Sequence, residues 1–142
     1  MSLVKSLELV LADTYALYLK TQNYHWNVEG PRFKELHATF ETHYDDLAEA
    51  IDTVAELIRG LGEKTPGTFA FFMNNTTIKN GNENATEIEM LKDILDDQYN
   101  ILKTLEAALK DAQDVKDEVV AGFLVERMTV HRKNAWMLKS SI

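Results

Sequence analysis

Residues 23–58 decide the fold of this chain, and they read NYHWNVEGPRFKELHATFETHYDDLAEAIDTVAELI. A Gly30-Pro31 pair separates two helical patterns within this stretch. Glycine often ends a helix, and proline, with its fixed φ and missing N–H, often opens one. The stretch therefore predicts the end of one helix and the start of another. It also carries four side chains that can bind a metal ion, namely His25, His37, Asp52 and Glu56.

After Pro31 the apolar residues recur every three or four positions, at Phe33, Leu36, Phe40, Tyr44, Leu47, Ile51, Val54 and Ile58. This spacing is typical of one face of a long helix. We expect this second helix, helix B, to run to about Gly60, where Gly60 and Gly62 end it.

Asp52 and Glu56 lie four residues apart, so their carboxylates project from the same face of helix B and can share one cation. His37 precedes Asp52 by fifteen residues, which is about 22 Å along a straight helix. One helix therefore cannot complete a metal site with these residues. Either other segments of the chain supply the missing ligands, or a second copy of helix B runs antiparallel across a two-fold axis and brings its His37 to Asp52 and Glu56.

The rest of the chain predicts three more long helices. Helix A runs from about Leu3 to about Val28, helix C opens at a capping box over Thr86–Glu89, and helix D follows a turn around Asp111 to Val115. The long connection between helices B and C contains a short helix around Phe69–Met73. No sustained alternation predicts a strand. The fold class is all-α: one domain over residues 1–142, a ferritin-like four-helix bundle with a short helix in the long B–C crossover.

Composition restricts the function further. The 142 residues carry a formal net charge of −8 and no cysteine, so any metal is held by nitrogen and oxygen ligands, which suits iron, zinc or manganese. The negative charge favours cations and disfavours binding to phosphate backbones. We find no signal segment and no apolar run that could span a bilayer, and we expect a cytoplasmic protein without membrane contact.

The motifs together resemble the Dps family of miniferritins. The resemblance begins in the stretch quoted above with His25-Trp26-Asn27, Gly30, Phe33 and Leu36-His37, followed by Asp52 and Glu56. It continues through Pro66-Gly67-Thr68 and the segment His131–Leu138. It thus spans nearly the whole chain, with the motifs in the family's order and spacing.

The resemblance implies a ferroxidase site shared between subunits. His25 and His37 come from one subunit, Asp52 and Glu56 from its two-fold partner, and Glu41 stands where the family often has Asp. Such a protein forms a hollow homo-oligomer of twelve subunits, oxidises Fe2+ with hydrogen peroxide or dioxygen, and stores the ferric mineral inside. Zinc is the alternative metal. The within-subunit di-iron centre of other ferritin-type bundles uses Glu-x-x-His pairs, which this sequence lacks.

The sequence departs from the family pattern at several positions. Leu57 stands where Arg is common, Arg132 stands where Glu is common, and the acidic motif of the three-fold pore reads Asp117–Gly122 with one acid lost. Asp117 and Glu118 remain candidate pore acids. These departures motivate an alternative function: a structural shell with weak or no ferroxidase activity that binds zinc or no metal.

The sequence also suggests a location or role for four further aromatic or histidine side chains. We expect Trp26 to lie near the metal site, Tyr24 to be a core aromatic, His43 to be a surface histidine and His131 to serve packing. Basic residues are few at both ends of the chain, where Lys5 and Lys139 lie. We therefore expect no direct DNA binding, because too few cations are available to displace counterions from phosphates.

Overall fold

The computed structural model describes residues 1–142 and contains five helices and no strand. The helices are α1 (Leu3–Asn27), α2 (Phe33–Gly60), α3 (Phe69–Asn75), α4 (Glu87–Asp114) and α5 (Glu118–Lys139). Helix α1 packs against α2, α3 and α4, and α4 packs against α5. The predicted all-α bundle, with its short helix in the crossover, is confirmed. No helix combines the length and apolar character that crossing a membrane requires.

Side-chain caps set the starts of four helices. Ser2, Thr68 and Asp117 accept hydrogen bonds from the first turns of α1, α3 and α5. The predicted capping box at the start of α4 is present, with reciprocal bonds between Thr86 and Glu89. Each of these caps satisfies a backbone N–H that has no partner inside its helix.

The end of α4 differs from the sequence prediction. We expected a turn around Asp111 to Val115, but the helix continues to Asp114. Ala112 explains the difference, because it is fully buried in the core and holds this polar segment on the bundle. The turn follows at Val115 and Lys116, and Lys116 has a left-handed φ of 58°.

The core is formed mainly by aliphatic residues from the four long helices. Its largest fully buried side chains include Leu7, Leu11 and Leu17 of α1, Phe40 and Ile58 of α2, Met90, Leu91, Ile94, Ile101 and Leu105 of α4, and Leu124 of α5. Most of the predicted apolar faces are therefore buried. Phe33 and Ile88 are exceptions at 40% and 39% exposure, since both lie in the first turn of a helix near the end of the bundle.

The connection between α1 and α2 is held against the start of α4. Gly30 has a φ of +137°, and a Cβ placed on it would lie 2.5 Å from Glu87 Oε2. Arg32 donates from Nε to Glu87 Oε1 at 2.7 Å and from Nη1 to the Ser141 carbonyl at 2.6 Å. These contacts fix where α2 begins relative to the end of α1. They therefore help to determine how His25 and His37 face each other.

The crossover is anchored through one buried carboxylate. Asp13 of α1 is fully buried and accepts four hydrogen bonds from Thr76, Thr77 and Thr104. Because Thr76 and Thr77 directly follow α3, these bonds hold the end of the short helix against α1 and α4.

Candidate metal centre

His25 and His37 face each other across the α1–α2 contact. His25 lies in the last turn of α1 and His37 in the second turn of α2. Their rings stack with centroids 3.7 Å apart and an interplanar angle of 17°. Each ring places its Nδ1 atom 2.7 Å from the backbone carbonyl oxygen of the other residue. The two residues are therefore joined by a reciprocal pair of side-chain-to-backbone hydrogen bonds.

This reciprocity fixes the tautomer of both imidazoles. A carbonyl oxygen can only accept, so each Nδ1 must carry the hydrogen and donate it. In a neutral imidazole the lone pair then resides on Nε2, which is the atom left to bind a metal ion. The His25 carbonyl lies near the end of α1, where carbonyls lack helical partners. The helix end thus supplies the acceptor that orients His37.

Aromatic neighbours and one carboxylate complete this half of the site. Phe33 stacks on the His37 ring at 5.1 Å, and Tyr44 meets the His25 ring edge-on at 5.2 Å. Glu41 places Oε1 3.8 Å from His25 Nε2. His25 is 6% exposed, whereas Glu41 is exposed. One carboxylate oxygen therefore lies near one of the two stacked histidines.

The carboxylate half lies elsewhere on α2. Asp52 and Glu56 are both exposed, and a hydrogen bond with Asp52, together with its negative charge, raises the pKa of Glu56. The two carboxylates are therefore close enough to share a proton or a cation. Within one chain, no group of three histidine or acidic side chains converges closely enough to hold a metal ion. The two histidines and the Asp52–Glu56 pair therefore lie in two separate regions of the chain.

The two aromatic residues beside His25 have different surroundings within the chain. Tyr24 is buried in the core, as expected, and donates its hydroxyl hydrogen to Asp93. Trp26 is 61% exposed. It lines a cavity of about 890 Å³ between α1, α3 and the segment after α3.

A buried ion network beside Tyr24 was not predicted. Lys20 is 3% exposed and lies 2.9 Å from Asp93 and 2.8 Å from Asp97. Burial raises the pKa of Asp97 to about 6, and Lys20 opposes that shift. The sequence did carry a signal, since Lys20 falls between Leu17 and Tyr24 on the apolar face of α1.

The prediction that His43 is a surface histidine is wrong. The residue is partly buried, and its Nδ1 atom is buried without a hydrogen-bond partner. Burial lowers the pKa of His43, while the charge of Asp46 opposes the shift.

His131 has the packing role that was expected. It is 1% exposed, its Nδ1 lies 2.7 Å from Gln98 Oε1, and its Nε2 lies 3.3 Å from Arg127 Nη2. Arg127 in turn binds Asp46 through two bonds and so connects α5 to α2. His131 is therefore a neutral member of an internal network and not a metal ligand.

The two candidate pore acids lie at the start of α5. Asp117 accepts the backbone N–H of Val120 at 3.0 Å and acts as the helix cap. Glu118 is exposed in the first helical turn. The cap occupies one oxygen of Asp117 and leaves Glu118 fully available to solvent.

Comparison with known proteins gives a consistent family assignment. Residues 4–142 match the family model of the ferritin-like domain. An uncharacterized low temperature-induced protein of Nostoc sp. is 36% identical, over 93% of this chain and 75% of its own length. The DNA protection during starvation protein 2 of Bacillus anthracis is 32% identical, over 96% of this chain and 94% of its own length.

A solved structure agrees with these relatives. The Dps protein of Vibrio cholerae O1, described as a member of a broad superfamily of ferritin-like diiron-carboxylate proteins, superposes with a TM-score of 0.93. It is 29% identical and covers 97% of this chain and 87% of its own. With the family model spanning nearly the whole chain, we conclude that this chain belongs to the Dps family of ferritin-like proteins.

Proposed function

We propose that this chain is a miniferritin that oxidises Fe2+ at sites shared between two-fold related subunits and stores the ferric product inside a hollow dodecamer. Hydrogen peroxide is the preferred oxidant and dioxygen the second. The activity is that of a ferroxidase. It protects against oxidative damage, because it removes Fe2+ and peroxide together. The net charge of −8 supports protection without direct DNA binding.

One observation carries this proposal. The reciprocal bonds between His25 and His37 commit both Nδ1 atoms to backbone carbonyls and leave both Nε2 lone pairs available. Two imidazole nitrogens with nearby carboxylate oxygen form a donor set that suits Fe2+. A pair of histidines serving only packing would not require this shared orientation.

Completion of the site needs a second copy of the chain. The Asp52–Glu56 pair lies on the same helix as His37, about 22 Å along it, so an antiparallel partner helix supplies carboxylates to each histidine pair. Apolar side chains around the α1–α3 cavity support association, since Leu19, Trp26, Phe69 and Met73 are 57%, 61%, 88% and 74% exposed. Exposed apolar groups of this size commonly mark contact surfaces.

In the proposed reaction Fe2+ binds between the histidine nitrogens of one subunit and Asp52 and Glu56 of the next, with Glu41 as an additional oxygen ligand. Two Fe2+ ions give one electron each to hydrogen peroxide, which takes up two protons and becomes two water molecules. The carboxylates favour the more highly charged Fe3+ product. Asp117 and Glu118 provide negative charge along the path by which Fe2+ enters.

The test is anaerobic loading with Fe2+ followed by peroxide, with ferric absorbance and particle mass recorded together. We expect rapid formation of soluble ferric product in a shell-sized particle. The double variant His25→Ala with His37→Ala should lose most of this rate, whereas His43→Gln, outside the site, should keep it. An unchanged rate in the double variant would reject the site.

The alternative is a shell with weak or no iron chemistry that binds zinc or no metal. Leu57 supports this alternative. It packs against the core, whereas the family commonly has arginine at this position, directly after Glu56. The same experiment separates the two functions. A shell-sized particle that oxidises Fe2+ no faster than buffer would favour the structural alternative.

A further inference from the structure

The segment between α3 and α4 contains an asparagine that is followed directly by a glycine. This residue, Asn80, is exposed and lies outside the helices, and Gly81 follows it. Within the chain, neither the Asn80 side-chain amide nor the Gly81 backbone N–H has a hydrogen-bond partner. Both groups are therefore free to react with each other.

The other asparagines lack this combination of features. Most lie in helices, whose regular backbone keeps the next nitrogen away from the side-chain carbonyl, namely Asn23, Asn27, Asn74, Asn75, Asn100 and Asn134. Outside the helices, Asn82 accepts the backbone N–H of Asn84 through Oδ1 at 2.9 Å. Every asparagine except Asn80 precedes a residue with a Cβ atom, which hinders attack by that residue's nitrogen.

An asparagine before a glycine undergoes deamidation without an enzyme, since glycine lacks a Cβ and its backbone adapts readily. The Gly81 nitrogen attacks the side-chain carbonyl carbon of Asn80 and forms a C–N bond. The bond from that carbon to the amide nitrogen breaks, and ammonia leaves with the proton of the Gly81 N–H. Water then opens the cyclic imide at either of its two carbonyl carbons. The net reaction consumes water, releases ammonia and converts the amide to a carboxylic acid.

The backbone that follows Asn80 is packed closely against α1. A Cβ placed on Gly81 would lie 3.1 Å from Asn23 Nδ2 and 3.2 Å from both Lys20 Cγ and Tyr24 Cε1. The next residue, Asn82, donates its backbone N–H to the Tyr24 hydroxyl at 3.1 Å. The segment therefore has little room on this side for an additional backbone atom.

We propose that Asn80 and Gly81 form a site of spontaneous deamidation, and that the isoaspartyl product releases residues 81–85 from α1. Opening of the ring at one carbonyl gives aspartate, which keeps the backbone and adds a negative charge. Opening at the other gives isoaspartate, which also adds a carbon atom to the main chain. That atom displaces Gly81 and should break the bond between Asn82 and Tyr24. This inference does not depend on the ferroxidase function.

The modification would change a surface that the candidate association uses. Asn80 and Gly81 line the α1–α3 cavity together with Lys20, Lys79 and Glu83. The new carboxylate would place a further negative charge among these groups, and release of the segment would loosen one wall of the cavity. The surface of an old molecule would thus differ from that of a new one.

The first experiment locates the reaction in the intact protein. Fresh protein and protein aged in a mildly alkaline buffer are digested at acidic pH, and the peptide masses are compared. Hydroxylamine, which cleaves the cyclic imide, is added to a parallel sample. Asn80 should be converted faster than any other asparagine, and hydroxylamine should produce fragments 1–80 and 81–142.

Two matched variants test the assignment. Asn80→Gln keeps an amide but does not form the five-membered ring readily, so it should lose both the conversion and the cleavage. Asn84→Gln, in the same segment, should react as the parent does. No mass increase at Asn80 in the parent, or conversion of Asn84 at the same rate, would overturn the deamidation site.

Hydrogen exchange tests the effect on the segment. The backbone amides of residues 81–85 should exchange faster in the aged parent, because the bond from Asn82 to Tyr24 is lost. Asn80→Asp adds the charge without lengthening the backbone, and it should exchange as slowly as the fresh parent. Equal exchange in fresh and aged parent, or fast exchange in Asn80→Asp, would overturn the proposed effect of the isoaspartyl backbone.

Discussion

At the scale of single residues, two backbone carbonyls decide what the histidines can do. The sequence identifies His25 and His37 by type and spacing, but it does not reveal which nitrogen of each ring remains free. That property depends on hydrogen bonds that cross between α1 and α2. It becomes visible only when the two helices are packed, and the same holds for the burial of His43.

Gly30 is the residue at which the α1–α2 connection is most easily tested. Gly30→Ala should lower the free energy of unfolding by about 1–3 kcal/mol, because a φ of +137° strains any L side chain and the added Cβ would displace Glu87. Chemical denaturation at fixed protein concentration measures the change. The matched control is Gly60→Ala, at a helical glycine with open space around it, which should leave stability unchanged or slightly higher. Equal stability of parent and Gly30→Ala would contradict this account of the connection.

His131 should make folding sensitive to acid. Burial, with Arg127, lowers the pKa of His131 from 6.5 to about 3, against the opposing charge of Asp46. Between these two pKa values the unfolded chain binds a proton at His131 that the folded chain does not. The contribution of His131 to the free energy of unfolding is therefore complete above pH 6.5 and is lost as the pH falls. The loss is about 1.4 kcal/mol per pH unit.

The variant His131→Gln tests this origin of the acid sensitivity. Glutamine can still donate to Gln98 but does not titrate. Free energies of unfolding measured at several pH values between 6.5 and 5 should therefore fall less steeply for the variant than for the parent. Identical slopes would show that another group causes the acid sensitivity.

At the scale of elements, apolar periodicity and caps predicted all five helices, including the short helix in the crossover. The errors have local physical causes. The polar segment at Asp111 to Asp114 resembles a turn, yet buried Ala112 keeps it helical. His43 was expected at the surface, but a sequence does not state how much of a helix its neighbours cover.

Asp13 should control how firmly the crossover is held. Asp13→Ala removes the acceptor of four hydrogen bonds in a fully buried position and should cost about 3 kcal/mol. Chymotrypsin should then cut faster at Phe71 and Phe72 in α3. Thr104→Val, which removes a single donor, should cost about 1 kcal/mol and leave cleavage slow. Unaltered cleavage in Asp13→Ala would mean that other contacts hold α3.

At the scale of the whole molecule, the proposed function requires a second copy of the chain to join the two halves of the site. From distance alone, the sequence predicted that one helix cannot bring His37 to Asp52 and Glu56, and it left open whether another segment or a second copy supplies the missing ligands. Within one chain of the structure, no group of three potential ligands converges. The candidate contact surface around the α1–α3 cavity could not be predicted, because its exposed apolar residues become a patch only after folding.

The most direct test of a shared site is complementation between two inactive variants. One variant carries His25→Ala and His37→Ala, and the other carries Asp52→Ala and Glu56→Ala. After unfolding together and reassembly in equal amounts, half of the two-fold pairs are mixed, and each mixed pair regains one intact site. Iron oxidation should return to about a quarter of the parent rate per subunit. No recovery in mixed shells of normal mass would contradict a site built from two subunits.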